Sequence, residues 1–351
     1  MDLETRVDAG GYDAPTPWAD PAWRREAMAW ARDAAVARGP QPRPAREWLA
    51  RLRPWSVVVR IPLADGSTVW FKANPPASAF EPALTGALHA WAPGRVLVPL
   101  GVDTDRAWSL LPDGGPLLAE AVDGPRGPDG ADHWEDPLRS YAALQRATVG
   151  RADELTALGV PDLRPARLPE LLDELIERTD APAEVRAVRP RFADWCAELA
   201  ASANGAALDH SDLHEGQVFT AGGRHVFFDW GDAAVAHPFT SLLVTARVTR
   251  RRHGADAPRV LARLRDAYLE AWTGGQGREL PALRREVSLA CRVGAVTRAH
   301  SWGRAFPGSC RAHGGGPAGA PGALAGRTAQ RAAAVGESLK SLKSLVSARS
   351  R

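Results

Sequence analysis

Lysine is nearly missing from this 351-residue chain, occurring only at Lys72, Lys340 and Lys343, while the rest of the 44 basic side chains are arginine. A composition that uses arginine wherever a positive charge suffices leaves a lysine in the folded body as a candidate for work that needs a compact ammonium. Lys72 is that residue. Cysteine is also scarce: Cys196, Cys291 and Cys310 are odd in number and widely spaced. That excludes a disulfide framework and a thiolate zinc site, and fits unpaired thiols in a reducing compartment. No stretch approaches the roughly 18 consecutive apolar residues of a membrane span, and MDLETRVDAGGYDAPTP lacks the basic and apolar regions of a signal peptide. A cytoplasmic location and no membrane partner are therefore expected. Excess charge is lacking too. The balance of 44 basic against 41 acidic side chains excludes a strongly basic nucleic-acid binder. The run Arg250-Arg251-Arg252 has no aromatic stacking platform beside it, so no nucleic-acid partner is expected.

What remains is ordinary for a folded protein, with 45% hydrophobic and 24% charged residues. At roughly 150 residues per domain the length suggests two lobes. Residues 21 to 37 place Trp23, Ala27, Trp30 and Ala34 at helical spacing, which predicts an amphipathic helix. A second short helix is expected to end near Pro54. The period then changes: Val57, Val58, Val59 and Ile61, the Asp65-Gly66 turn, then Val69, Trp70 and Phe71 read as a hairpin with Lys72 at its end. A helix over Phe80 to Trp91 carries Glu81 in its first turn, where a carboxylate suits the helix dipole. Strands at Val96 to Val102 and Trp108 to Leu111 lead into Pro112-Asp113-Gly114-Gly115-Pro116, whose Gly and Pro mark a hinge.

Downstream, helices are expected over roughly 134 to 148, 168 to 178, 186 to 203, 256 to 272 and 279 to 305. Residues 206 to 232 interrupt them with a polar loop, a hairpin around Ala221-Gly222-Gly223 and a second acidic turn. The domain reading is thus 1–112 for a small sheet lobe, 113–116 for the hinge and 117–312 for a helical lobe. A Gly/Ala/Pro-rich tail, expected to be flexible, fills 313–351.

His210-Ser-Asp212-Leu-His214-Glu-Gly-Gln217 precedes the second hairpin and Phe228-Asp229-Trp230-Gly231-Asp232 follows it. A hairpin brings its ends together, so Asp212, Gln217 and Asp229 can converge although 17 positions separate the aspartates. Two carboxylates and an amide oxygen are hard donors suited to Mg2+ and to orienting a hydroxyl. Duller roles exist for each: Asp212 and Asp229 as turn formers, Glu81 as a helix-end charge, His214 and Glu215 as solvated loop residues. A different chemistry, a metal-dependent hydrolase using His210, Asp212 and His214, is also open at this point, but it leaves Lys72, Glu81 and the hinge unexplained.

HSDLHEGQ followed by FFDWGD resembles the H-x-D-L-H-x-x-N and I-D-W-G-D motifs of the aminoglycoside phosphotransferase and choline kinase-like family. VWFKA, the Glu81 helix, LLPDGGPLL and VAHPFTSLL fall in the same order, over roughly residues 55 to 305. The resemblance implies an α+β, bilobal, protein-kinase-like fold and an ATP- and Mg2+-dependent phosphotransferase acting on a hydroxyl of a small molecule. It implies that Lys72 contacts the α/β-phosphates and is held by Glu81, that Asp212 orients or deprotonates the acceptor, and that Asp229 binds metal. Backbone groups near Leu111 and Asp113 would receive the adenine, the loop Leu63 to Thr68 would lie over the phosphates, and His210, His214 and Asp232 would support the loops. The motif asparagine is Gln217 here, one methylene longer, so the pattern is consistent either with a metal ligand on a longer arm or with a nucleotide-binding pseudokinase. A monomer or homodimer is expected. From Phe239 to Ala312 there are 14 arginines against five acids, which points away from a polycationic acceptor and toward a neutral or anionic one.

Overall fold

Strand-period alternation dominates residues 49 to 73, and there the chain forms a sheet. A computed structural model describes residues 5–9, 17–122, 132–273, 279–305, 340 and 343. Cys310 and, apart from positions 340 and 343, the tail 313–351 lie outside the described residues. The chain divides into two compact units, the first drawing on Met1–Ala87 and Leu97–Asp113 and the second on Leu88–Val96 and Gly114–Trp302.

The first unit contains β1 (Arg6–Asp8), α1 (Pro21–Val36), β2 (Leu49–Arg53), β3 (Ser56–Pro62), β4 (Thr68–Ala73), the first turns of α2 (Glu81–Trp91), β5 (Gly101–Asp103) and β6 (Trp108–Pro112). Its sheet has the order β1-β2-β3-β4-β6-β5, parallel between β1 and β2 and antiparallel elsewhere. The predicted first helix starts at Asp20, whose Oδ1 accepts the Ala22 N–H at 2.8 Å, with Pro21 pre-set for the first helical position. Val57, Val59 and Ile61 of β3 and Val69, Phe71 and Ala73 of β4 bury one face together with Ala27, Met28, Ala31 and Ala35 of α1. Trp30 meets Phe71 and Trp108 edge-on, at centroid distances of 5.9 and 5.8 Å. Alternation then carries Lys72, between Phe71 and Ala73, to the other face.

Two expectations are corrected here. The helix expected before Pro54 is β2, preceded by a single 3-10 turn at Ala45–Glu47. Ala50 and Leu52 point inward against β3 while Arg51 points out, a period of two that the flanking prolines obscured. The strand expected over Val96 to Val102 is only β5, because Val96 makes an isolated bridge to Phe227 in the second unit.

The second unit is mainly helical, with α3 (Leu118–Val122), α4 (Asp132–Arg146), α5 (Ala152–Ala157), α6 (Leu168–Thr179), α7 (Ala183–Arg186) and α8 (Arg189–Ala200). Four short strands follow, β7 (Ala207–Asp209), β8 (Val218–Ala221), β9 (Arg224–Phe227) and β10 (Ala234–Ala236), then α9 (Leu242–His253), α10 (Ala257–Leu269) and α11 (Leu280–Ala305). The expected helices are all present; the short helices α3, α5 and α7, helix α9 and the β7/β10 pair are additional to them. Tyr141 and Gln145 of α4, Tyr268 of α10 and Ser241 form a buried polar network, with Gln145 Nε2 donating to Leu208 O and Pro238 O at 2.9 and 3.0 Å. Cys196 and Cys291 are unpaired, and burial pushes both thiols up to about 12. Among the described residues, no helix is long and apolar enough to cross a membrane.

Candidate active site

Two ladders assemble the acidic loops of the second unit. β7 pairs antiparallel with β10, placing Asp209 opposite Ala234, and β8 pairs with β9, placing Val218 opposite Phe227. The segments 210–217 and 228–233 are pinned at both ends and must face each other. The β8–β9 turn supports this with Gly222 and Gly223 at φ 57° and 74°, the left-handed pair that suits the strand twist. Phe228 N donates to Gln217 O at 3.2 Å, and Gln217 Nε2 lies 3.3 Å from Asp229 Oδ2. Gln217 and Asp229 thus meet within this unit, and the Asp229 charge acts on Asp212.

Backbone conformation sets the two key turns. Ser211 has φ 61° and Asp229 φ 64°, left-handed values uncommon for residues other than glycine. The first is held by Asp209, 1% exposed, whose Oδ1 accepts the Ser211 N–H and whose Oδ2 accepts the Thr240 hydroxyl, both at 2.8 Å. Asp229 precedes the 3-10 turn Trp230–Asp232 without capping it through its side chain.

His210 and His214 both contact the backbone of these loops. His210 is fully buried against Trp230, its Nε2 2.9 Å from Phe228 O, and its backbone N–H donates to Tyr141 Oη at 3.0 Å. Burial lowers its pKa, favouring the neutral ring. His214 Nδ1 accepts the Gly216 N–H at 3.0 Å. Both imidazoles are thus engaged with backbone. No group of three or more His, Cys, Asp and Glu among the described residues is arranged to hold a metal ion, which gives the hydrolase reading no support.

The side chain that organises the acids was missed. Arg298 of α11, with 13% of its side chain exposed, lies between two carboxylates, Nη2 2.9 Å from Asp212 Oδ1 and Nη1 3.0 Å from Asp232 Oδ2. Ser301, one turn on, donates to Asp232 Oδ1. No local signal distinguished Arg298 from the other arginines of its segment; only a tertiary contact 66 and 86 positions distant in sequence gives it a role. Burial pushes the Asp212 carboxyl up to about 6; Arg298 and His214 pull against it, while Asp232 and Asp229 push with it.

In the first unit, Lys72 Nζ lies 2.7 Å from both Glu81 Oε1 and Oε2. Lys72 is 8% exposed and Glu81 4%. A solvated lysine and a helix-end charge are both excluded by that burial. Leu111 stands opposite Trp70 in the β4–β6 ladder, and Asp113 Oδ2 accepts the Trp70 indole N–H at 3.0 Å, which ties the strand end to the sheet. The loop Leu63 to Thr68 is a tight turn closed on itself, with Leu63 N donating to Ser67 O at 2.8 Å and the Ser67 hydroxyl to Asp65 Oδ1 at 2.6 Å. It presents a carboxylate where a phosphate-cradling loop offers backbone N–H groups.

No protein-family model and no curated protein matches the chain. Solved structures do. The macrolide 2'-phosphotransferase of Brachybacterium faecium aligns with 89% of this chain and 97% of its own, at 19% identity and a TM-score of 0.52. A putative aminoglycoside phosphotransferase from Ralstonia eutropha aligns with 91% of this chain and 98% of its own, at 14% identity and a TM-score of 0.54. A choline/ethanolamine kinase family protein from Mesorhizobium loti covers 82% of this chain and 89% of its own, at 15% identity and a TM-score of 0.51. The chain has the fold of these kinases. That agrees with the α+β, bilobal, kinase-like architecture expected from HSDLHEGQ and FFDWGD.

Proposed function

We propose that the protein is an ATP-dependent phosphotransferase that moves the γ-phosphoryl group to a hydroxyl of a small molecule. The observation that carries this reading is the buried Lys72–Glu81 pair, since a buried ion pair is poor value for stability and is explained by a task for its ammonium. In that task Lys72, oriented by Glu81, binds the nucleotide's α/β-phosphates. Asp212 orients the acceptor hydroxyl and takes its proton as the oxygen attacks the γ-phosphorus and the bond to the β–γ bridging oxygen breaks, releasing ADP. A carboxyl near 6 is suited to that proton transfer close to neutrality. The backbone at Leu111 and Asp113 would receive the base.

Asp229 and Gln217 carry a carboxylate and an amide carbonyl, donor types suited to a hard divalent cation such as Mg2+. When bound there, the cation would neutralise phosphate charge. Asp229 and Gln217 are the residues that would hold it, with His210 fixing Phe228 and Asp232 bracing the far end of the turn. The pseudokinase reading is favoured by one detail: the amide nitrogen of Gln217, not its carbonyl, faces Asp229. Single-turnover ATP cleavage with Mg2+, parent beside Gln217→Asn, separates the two. Turnover by the parent supports the kinase; turnover only by Gln217→Asn supports a lapsed one. No magnesium-dependent nucleotide binding by either ends both.

For the acceptor we infer a neutral or anionic hydroxylated compound. The surplus of arginine in 239–312 is smaller than its count implies, because Arg252, Arg263 and Arg298 pair with Glu215, Glu135 and Asp212 outside that segment. An ADP-release panel tests it; faster turnover of polycationic aminoglycosides than of neutral polyols or macrolides would refute it.

A further inference from the structure

Asp212 sits on a bend whose backbone is fixed by Asp209, yet backbone fixation does not aim a carboxylate. A side chain in a conformation suited to one proton transfer must be held within fractions of an ångström, and the holding group is best a rigid one. Arg298 meets that need. Its Nη2 takes Asp212 Oδ1 at 2.9 Å, whereas Oδ2 stands 3.7 Å from His214 Nε2, beyond hydrogen-bonding distance. The same guanidinium reaches Ser211 O at 3.4 Å and Asp232 Oδ2 at 3.0 Å, and Ser301 donates to the other oxygen of Asp232. One planar fork thus joins three pieces of the second unit: the loop carrying Asp212, the turn that follows Asp229 and helix α11. A lysine ammonium at the same place lacks the second arm.

We propose that Arg298 is the positioning residue of the reaction, fixing Asp212 through Oδ1 so that Oδ2 is presented to the acceptor hydroxyl, and locking the Asp229 turn to the same frame through Asp232. The inference rests on the phosphotransferase reading. Arg298 touches neither nucleotide nor acceptor in this scheme; it acts through the two aspartates. The charged groups facing Asp212 are Arg298 from α11, His214 from its own loop, and Asp232 and Asp229 from the turn after β9. Arg298 is the guanidinium among them, and its removal leaves carboxylates in the majority.

The test uses the full chain with MgATP and water as the acceptor, reading ADP formation. Arg298→Met is expected to lower kcat about 10- to 100-fold while the KM for MgATP changes less than about threefold. The acidic limb of its kcat–pH profile should move to higher pH, since loss of the cation disfavours the Asp212 carboxylate. Arg298→Lys should return that limb toward the parent's position but recover only part of kcat, because charge is restored and the fork is not. Parent-like kcat and pH profile in Arg298→Met would overturn the proposal. So would a loss in which kcat and MgATP affinity fall together and Arg298→Lys is no better, the signature of a purely structural role. If the parent itself neither forms ADP nor binds magnesium nucleotide, the phosphotransferase reading has failed. The pairing is then judged by urea unfolding of Arg298→Met, Asp212→Asn and the double variant. Non-additive effects uphold the coupling, and additive ones reject it.

Discussion

Replacing Lys72 with methionine removes a cation that the first unit keeps almost dry. The side chains of Lys72 and Glu81 are 10% and 6% exposed, and the ammonium lies 2.7 Å from both carboxylate oxygens. Lys72→Met retains the aliphatic stem and leaves the Glu81 charge buried without its partner, which costs about 3–5 kcal/mol in comparable buried pairs. Replacing both residues, as Lys72→Met/Glu81→Leu, removes the stranded charge as well. Such apolar exchanges are neutral or stabilising by about 1–4 kcal/mol, so the double variant should regain parental stability or exceed it. Urea unfolding followed by tryptophan fluorescence measures both, and the transition of the first unit is the one expected to move. Nucleotide binding should be lost in both variants, because neither has the ammonium. A double variant no more stable than Lys72→Met would refute the reasoning, since the destabilisation would then not come from an uncompensated charge. Retained magnesium-nucleotide affinity in either would show that the pair is not kept for phosphate binding.

Glu286 supplies a pH prediction. Burial would raise its carboxyl, but hydrogen bonds from His237, Ser202 and Asn204 outweigh it and bring the pKa to about 2, below the ordinary 4.5. A depressed carboxyl stabilises the fold above its unfolded pKa, so that contribution should be full at pH 5 and fade between about pH 4.5 and pH 2. Denaturation midpoints over that range should flatten in Glu286→Gln; an unchanged slope would contradict the assignment. Gly114→Ala would set a Cβ 2.1 Å from Phe219 Cδ2, and Phe219 stacks on Phe228 at 4.3 Å, next to Asp229. Overpacking of about 1–3 kcal/mol is expected from thermal unfolding, together with weakened magnesium-nucleotide binding; a parent-like variant would mean that the ring yields freely.

Much of the fold was legible because its signals are local. The α1 stripe, the β3–β4 hairpin with its Asp65-Gly66 turn, and the Gly222-Gly223 turn of β8–β9 each follow from periodicity or from the backbone freedom of a named residue. The period at β2 was misread because five residues bounded by prolines fit a strand and a helix end almost equally well, and the inward Ala50 and Leu52 are decided by pairing with β3. Likewise β7 and β10 are three residues each and exist only because they pair with one another.

The candidate site divides in the same way. Order along the chain, with strand lysine, helix glutamate and two acidic loops around a hairpin, is a property of the sequence, as is the substitution at Gln217. Burial of Lys72 with Glu81, the tie between Asp113 and Trp70, and the bridge from Arg298 to Asp212 and Asp232 are properties of tertiary contact. The reason is physical: a guanidinium acquires a role from the carboxylates that fold against it. Nothing in the few residues around position 298 encodes which carboxylates those will be.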